Sequence, residues 1–122
     1  MRYLSRLLLG TMMVVGLSGQ ALAHAHLESA VPPPNAQVTS GPDMLLLQFS
    51  ERLEPAFCGL ALTGPGQAAI PTGDAALAPG DARTLVVPIQ TKLANGTYTV
   101  TWHALSADGH KSRGSYLFTV AP

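Results

Sequence analysis

One cysteine, Cys58, is the whole supply of thiol in the 122-residue sequence. A chain with a single thiol forms no internal disulfide, so its fold has to stand on its own core. The neighbours of that thiol in "FCGLAL" alternate like a strand with one buried face, which reads as a small buried hydrophobe. Charge is also scarce, with 7 basic and 7 acidic residues. No basic run exists to hold nucleic acid, and no lysine-rich face to hold anionic lipid. Beyond residue 23 no helix-period pattern of useful length occurs. Internal repeats and low-complexity tails are missing too.

The chain does open with a targeting pattern. Arg2 and Arg6 give a positive start, residues 7–17 (LLLGTMMVVGL) form an apolar run, and Ala21-Leu22-Ala23 supplies a small-residue cleavage site. That order predicts a secretory signal peptide over 1–23, cut after Ala23; the run is short for a membrane span. Cleavage removes two cations and no acid, leaving a mature domain of 24–122 with 5 basic and 7 acidic residues. A chain of that size suits one compact domain with a modest core. Its expected location is the periplasm, with no membrane insertion of the mature chain.

What remains alternates with period two. "MLLLQF" puts Leu45, Leu47 and Phe49 on one face; "GTYTVTW" does the same with Tyr98, Val100 and Trp102, and "SYLFTV" with Tyr116, Phe118 and Val120. Half-buried strands select such patterns of aromatic and branched residues. Further strands are expected over 26–30, 36–39, 57–63 and 84–89, separated by "VPPPNA", "SGPD", "TGPGQ", "APGD" and "LANGT". Asn95 and Gly96 form a tight-turn signal. The segment 64–80 reads as a long loop with a short strand inside. About seven short strands without helices predict an all-β, two-sheet Greek-key sandwich or barrel.

The four histidines are His24, His26, His103 and His110. Cleavage after Ala23 would put a free amine on the residue that carries the first imidazole. An α-amine has a pKa near 8, so a metal displaces its proton at neutral pH, and one residue then chelates with two nitrogens. Amine and imidazole nitrogens with a carboxylate suit tetragonal Cu(II), which tops the affinity order for such ligands. Asp108 and His110, in "SADGH", are spaced to converge on an incoming His24, with Gly109 letting the backbone bend between them. The same "ADG" could be a plain turn in which Asp108 bonds local amides. His26 offers a local rival, since a terminus of the form X-X-His wraps Cu(II) with its own amides; those amides, however, belong to the first expected strand. His103 follows Trp102 and should point outward as a surface residue.

The blocks "HAHLESAVPPPN", "LQFSE" and "YTVTWHALSADGHKSRGSYLFTV" together resemble the CopC family of periplasmic copper-binding and copper-resistance proteins. The resemblance runs over essentially all of 24–122. It implies an immunoglobulin-like or cupredoxin-like Greek-key fold. It also implies a Cu(II) site made from the amine and imidazole of His24, the carboxylate of Asp108 and the imidazole of His110. Some members carry a methionine-rich Cu(I) stretch. Here the corresponding segment has neither Met nor His, and Met44 is the lone methionine after residue 23, which points to a Cu(II)-only member. The function so implied is sequestration, resistance or delivery of copper, without catalysis. The partner would be a separate inner-membrane copper transporter or another periplasmic copper protein.

Two other classes remain open on sequence. A copper held by two histidines resembles the brace of oxidative copper enzymes, although Asp108 would fill a position that oxygen needs. A metal-free immunoglobulin-like interaction module is the third reading.

Overall fold

The computed structural model describes residues 24–122; the expected signal peptide 1–23 lies outside the described residues. Among them run nine strands: β1 Leu27–Val31, β2 Gln37–Val38, β3 Met44–Phe49, β4 Gly59–Thr63, β5 Ala69–Ile70, β6 Ala76–Ala78, β7 Asp81–Pro88, β8 Gly96–Leu105 and β9 Lys111–Val120. Single 3-10 turns at Pro55–Phe57 and Pro65–Gln67 are the helical content. The strands form two sheets, ordered β1-β3-β7-β6 and β2-β9-β8-β4-β5, which face one another as an all-β sandwich. All pairings are antiparallel except β2 with β9.

The core follows the alternation. Leu45, Leu47 and Phe49 of β3, Leu85 and Val87 of β7, Tyr98, Val100 and Trp102 of β8, and Phe118 and Val120 of β9 are buried between the sheets. Phe49 meets Trp102 edge-on at 5.0 Å, and Tyr98 stacks on Phe118 at 5.5 Å. The Tyr98 hydroxyl donates to the Ala94 carbonyl at 2.7 Å, pinning the entry to β8 with a hydrogen bond to the backbone four residues upstream. Gly114, paired with Trp102 across the β8–β9 ladder, lies so close to the indole that an added Cβ would sit 2.6 Å from Cζ2.

β2 falls within the expected 36–39, and the count exceeds the expected seven by β5 and β6, which hold only two and three residues, too few to display a period. Both lie inside the 64–80 segment, where one short strand was expected. The fourth strand begins at Gly59 instead of residue 57, because the 3-10 turn over Pro55–Phe57 precedes it. Asn95 and Gly96 do not close a tight hairpin. They enter β8 at the end of a connection from β7, and those two strands lie in different sheets. Gly96 alone of the pair has positive φ, at 143°, and a Cβ there would come within 2.3 Å of Pro65 Cγ. Close approach of backbone to ring, as much as turning, is what the glycine supplies.

Cys58 is half-buried rather than sealed in the core. Its thiol donates to the Glu54 carbonyl at 3.1 Å and accepts the Leu105 amide at 3.3 Å, tying the 3-10 turn to the end of β8. Burial pushes this thiol up, which keeps it protonated and unreactive. His103 is exposed, as the alternation requires.

Candidate metal centre

Five residues, 106–110, join β8 to β9, the longest pair of neighbouring strands. Gly109, at φ 93°, allows the reversal. The Gly109 amide donates to the Ser106 carbonyl at 2.9 Å, and the Ser106 amide donates to the His110 carbonyl at 3.0 Å, which closes the turn. A second segment clamps it from the side. The Ala107 amide donates to the Arg52 carbonyl at 2.8 Å, the Glu54 amide to Leu105 at 2.9 Å, and Leu53 makes a bridge to Ser106.

Within this frame the Asp108 carboxylate and the His110 ring face each other, with Oδ1 and Nδ1 3.1 Å apart. Ser106, only 1% exposed, lies beneath them. Its hydroxyl donates to Asp108 Oδ1 and takes the His110 amide at 3.3 Å. The Ser106 hydroxyl, and next the His110 ring, hold the Asp108 carboxyl below its ordinary range, so it is anionic at neutral pH. Its contribution to folding is therefore present above the unfolded-state pKa and is lost as pH falls through the lower folded-state value.

The N-terminal segment reaches the same place from the other sheet. Ala25 is fully buried, so the residues on either side of it turn outward. The Ser112 hydroxyl donates to the Ala25 carbonyl at 2.8 Å. The His26 amide donates to Ser50 Oγ at 2.9 Å, and the Ser50 amide donates back to the His26 carbonyl at 2.9 Å. Pinned in this way, the half-buried His24 ring stands 5.3 Å from the His110 ring, centroid to centroid and tilted by 48°. Two imidazoles that share one metal at about 2.0 Å per nitrogen have centroids roughly 4.5–6 Å apart, so the spacing suits a common ion.

Tertiary structure thus brings His24 and Asp108 each beside His110. Among the described residues, no three His, Cys, Asp or Glu side chains are closed up as a metal cluster. His24 Nδ1 lies 3.2 Å from the Lys111 carbonyl, and in the full chain the His24 nitrogen is a peptide amide, not an amine. His26 is exposed, and its amide is committed to Ser50, so wrapping a metal with local amides would have to break that bond.

Three residues escape sequence reasoning as parts of the site. Ser50, Ser112 and Ser106 do the positioning, and isolated serines carry no periodic signal. The Ser106 role yields a prediction. Ser106→Ala removes the hydroxyl that holds Asp108 and the His110 amide; loss of such an outer-shell contact weakens metal binding by about 10–100-fold. Competition titration with a Cu(II) chelator measures this, and unchanged affinity would mean that Ser106 serves the turn alone.

A family model for the CopC domain matches residues 27–121. Protein YobA of Escherichia coli (strain K12) is 47% identical over 98 residues, which cover 80% of this chain and 79% of that protein. The crystal structure of CopC from Methylosinus trichosporium OB3b superposes with a TM-score of 0.75 at 30% identity, over 81% of this chain and 95% of that one. PcoC, a methionine rich copper resistance protein from Escherichia coli, superposes with a TM-score of 0.73 at 35% identity, over 80% of this chain and 99% of that one.

Proposed function

The chain belongs to the CopC family, and from that premise we propose that it is a copper-binding protein of copper resistance and handling that carries Cu(II). The ligands in this reading are the amine and imidazole of a cleaved His24, the carboxylate of Asp108 and the imidazole of His110. Copper is cargo here: the chain sequesters it, or passes it to and from a membrane copper transporter or another copper protein in the periplasm. Secretion by the 1–23 leader belongs to the same proposal. Among the described residues no helix is long and apolar enough to cross a membrane.

One observation carries the reading. His24 and His110 lie 86 positions apart in sequence, yet their rings stand 5.3 Å apart, with Asp108 seated against His110. An N-terminal histidine chelates through its amine and Nδ1 in a six-membered ring. Chelation through Nδ1 would therefore exchange the Lys111 carbonyl for the metal. The donor set is nitrogen and oxygen, which favours Cu(II) over Cu(I). Met44, at the far end of β3 from Ser50, offers the single thioether among the described residues.

Electron paramagnetic resonance of the chain starting at His24, loaded with one equivalent of Cu(II), tests the reading. A tetragonal signal with nitrogen hyperfine structure is expected, and His110→Ala should lose one nitrogen from it. A signal that His110→Ala leaves unaltered, or no stoichiometric binding at all, would overturn it.

A further inference from the structure

Besides the metal centre, the edge of β9 beyond β2 is left open among the described residues. In the β8–β9 ladder the odd-numbered residues of β9 turn their backbone groups out of the sheet. This parity is set where partners exist: Leu117 accepts the Asn35 amide at 2.7 Å, the Thr119 amide donates to Ala36 at 2.8 Å, and Lys111 meets the His24 ring. Between these occupied points, the N–H and C=O groups of Arg113 and Ser115 have no backbone partner among the described residues. The vacant stretch from Lys111 to Leu117 is about 20 Å long at roughly 3.3 Å per residue. A groove of about 930 Å³ runs along it, with His24, His26, Asn35, Trp102 and Tyr116 in its walls.

The charge around this edge is one-sided. The strands of the five-stranded sheet contain no Asp or Glu, and their two formal charges are Lys111 and Arg113. Both side chains project from the outer face of the open strand, and His103 lies across from Arg113 on β8. This contrasts with residues 24–122 as a whole, where acids outnumber bases. A second copy paired along the same edge would crowd the Lys111 and Arg113 of both chains onto one short stretch. Opposite charges across a strand pair are favourable and like charges are not.

We propose that the 113–115 edge of β9 is a docking site for an extended, acidic strand of a partner protein. The strand pairs with Arg113 and Ser115 through four backbone hydrogen bonds, in the mode of β-augmentation. Acidic residues at alternate positions of that strand lie beside Lys111 and Arg113, and its intervening apolar residues face the groove over Trp102 and Tyr116. Lys111 is also the residue whose carbonyl holds His24, so the docked strand ends beside the copper ligands. The docking itself does not depend on copper, whereas its use in metal transfer rests on the function proposed above.

The test uses metal-free, ¹⁵N-labelled protein starting at His24, so failure of the copper reading leaves it intact. The probe is a capped heptapeptide alternating valine and glutamate, with a valine–lysine heptapeptide as its counterpart. Saturable binding of the glutamate peptide is expected, with amide exchange at Arg113 and Ser115 slowed tenfold or more and the lysine peptide at least tenfold weaker. Ser115→Pro removes an outward N–H that β8 does not use and should abolish binding while the β8 amides keep their protection. Should that variant not fold, Arg113→Glu should invert the preference between the two peptides. Protection that appears without peptide as protein concentration rises would assign the edge to a second copy and overturn the proposal. Equal binding of both peptides, or none at millimolar concentration, would overturn it as well.

Discussion

Placing one glycine before His24 is expected to weaken Cu(II) binding by more than the roughly 10–100-fold that loss of an outer-shell contact costs. The chemistry is specific to the first residue. With His24 at the terminus, the metal displaces a proton from an amine of pKa near 8 and closes a chelate ring with the imidazole of the same residue. With glycine ahead of it, that nitrogen becomes an amide. The new amine lies one residue further away, while the His24 ring, the Ala25 anchor and the Asp108–His110 pair are untouched. Paired competition titrations of the two chains at neutral pH would measure the difference. Equal affinities would show that His24 contributes at most its ring, and the proposed ligand set would fail. The extension leaves Ala25 in the core and Ser112 on its carbonyl, so both chains should melt alike without metal.

The second large effect concerns the core beneath the site. Phe49→Ala should destabilise the domain by about 3–5 kcal/mol, the usual cost of emptying a buried phenylalanine position. Phe49 is fully buried and meets the Trp102 indole edge-on, so truncation removes transfer energy, an aromatic pair and the support of the ring that Gly114 was left bare to admit. At roughly 4–8 °C per kcal/mol for a domain of this size, the melting temperature falls by tens of degrees. Phe57→Ala is the control: Phe57 is 65% exposed, and its loss should change stability by no more than about 0.5 kcal/mol. Thermal unfolding followed by circular dichroism reports both. If the two variants melted together, the burial on which the sandwich is built would be wrong.

Legibility in the sequence divides along physical lines. Strand faces were readable because burial on one side of a strand imposes a period of two. Leu45, Leu47 and Phe49, with Tyr98, Val100 and Trp102, line the core as their alternation predicts. Tyr116 marks the margin of that rule, since it shares the inward face of Phe118 yet stays half-exposed where β9 runs along the open edge. The tight turn signalled at Asn95 and Gly96 did not form for a related reason: the local signal specifies backbone freedom, but not which sheet the next strand joins. Likewise Cys58, read as a small hydrophobe, has its thiol engaged by Glu54 and Leu105, and the second of these lies 47 positions away.

For this protein the sequence alone determined the all-β class, the inward residues of the long strands and the candidate ligands His24, Asp108 and His110. Each of these rests on local information: periodicity, a cleavage pattern, or a motif of three residues. Only the tertiary structure decided that His24 and Asp108 each lie beside His110, and which groups hold them there. Ser112 reaches Ala25 across 87 positions, Ser50 reaches His26 across 24, and the 51–54 segment clamps the 106–110 turn. It also decided that β2 stops short along β9 and leaves the outward backbone groups of Arg113 and Ser115 without a backbone partner among the described residues. Such contacts join single small polar residues distant in the chain, and a lone serine or an unpaired amide leaves no period for a sequence to display.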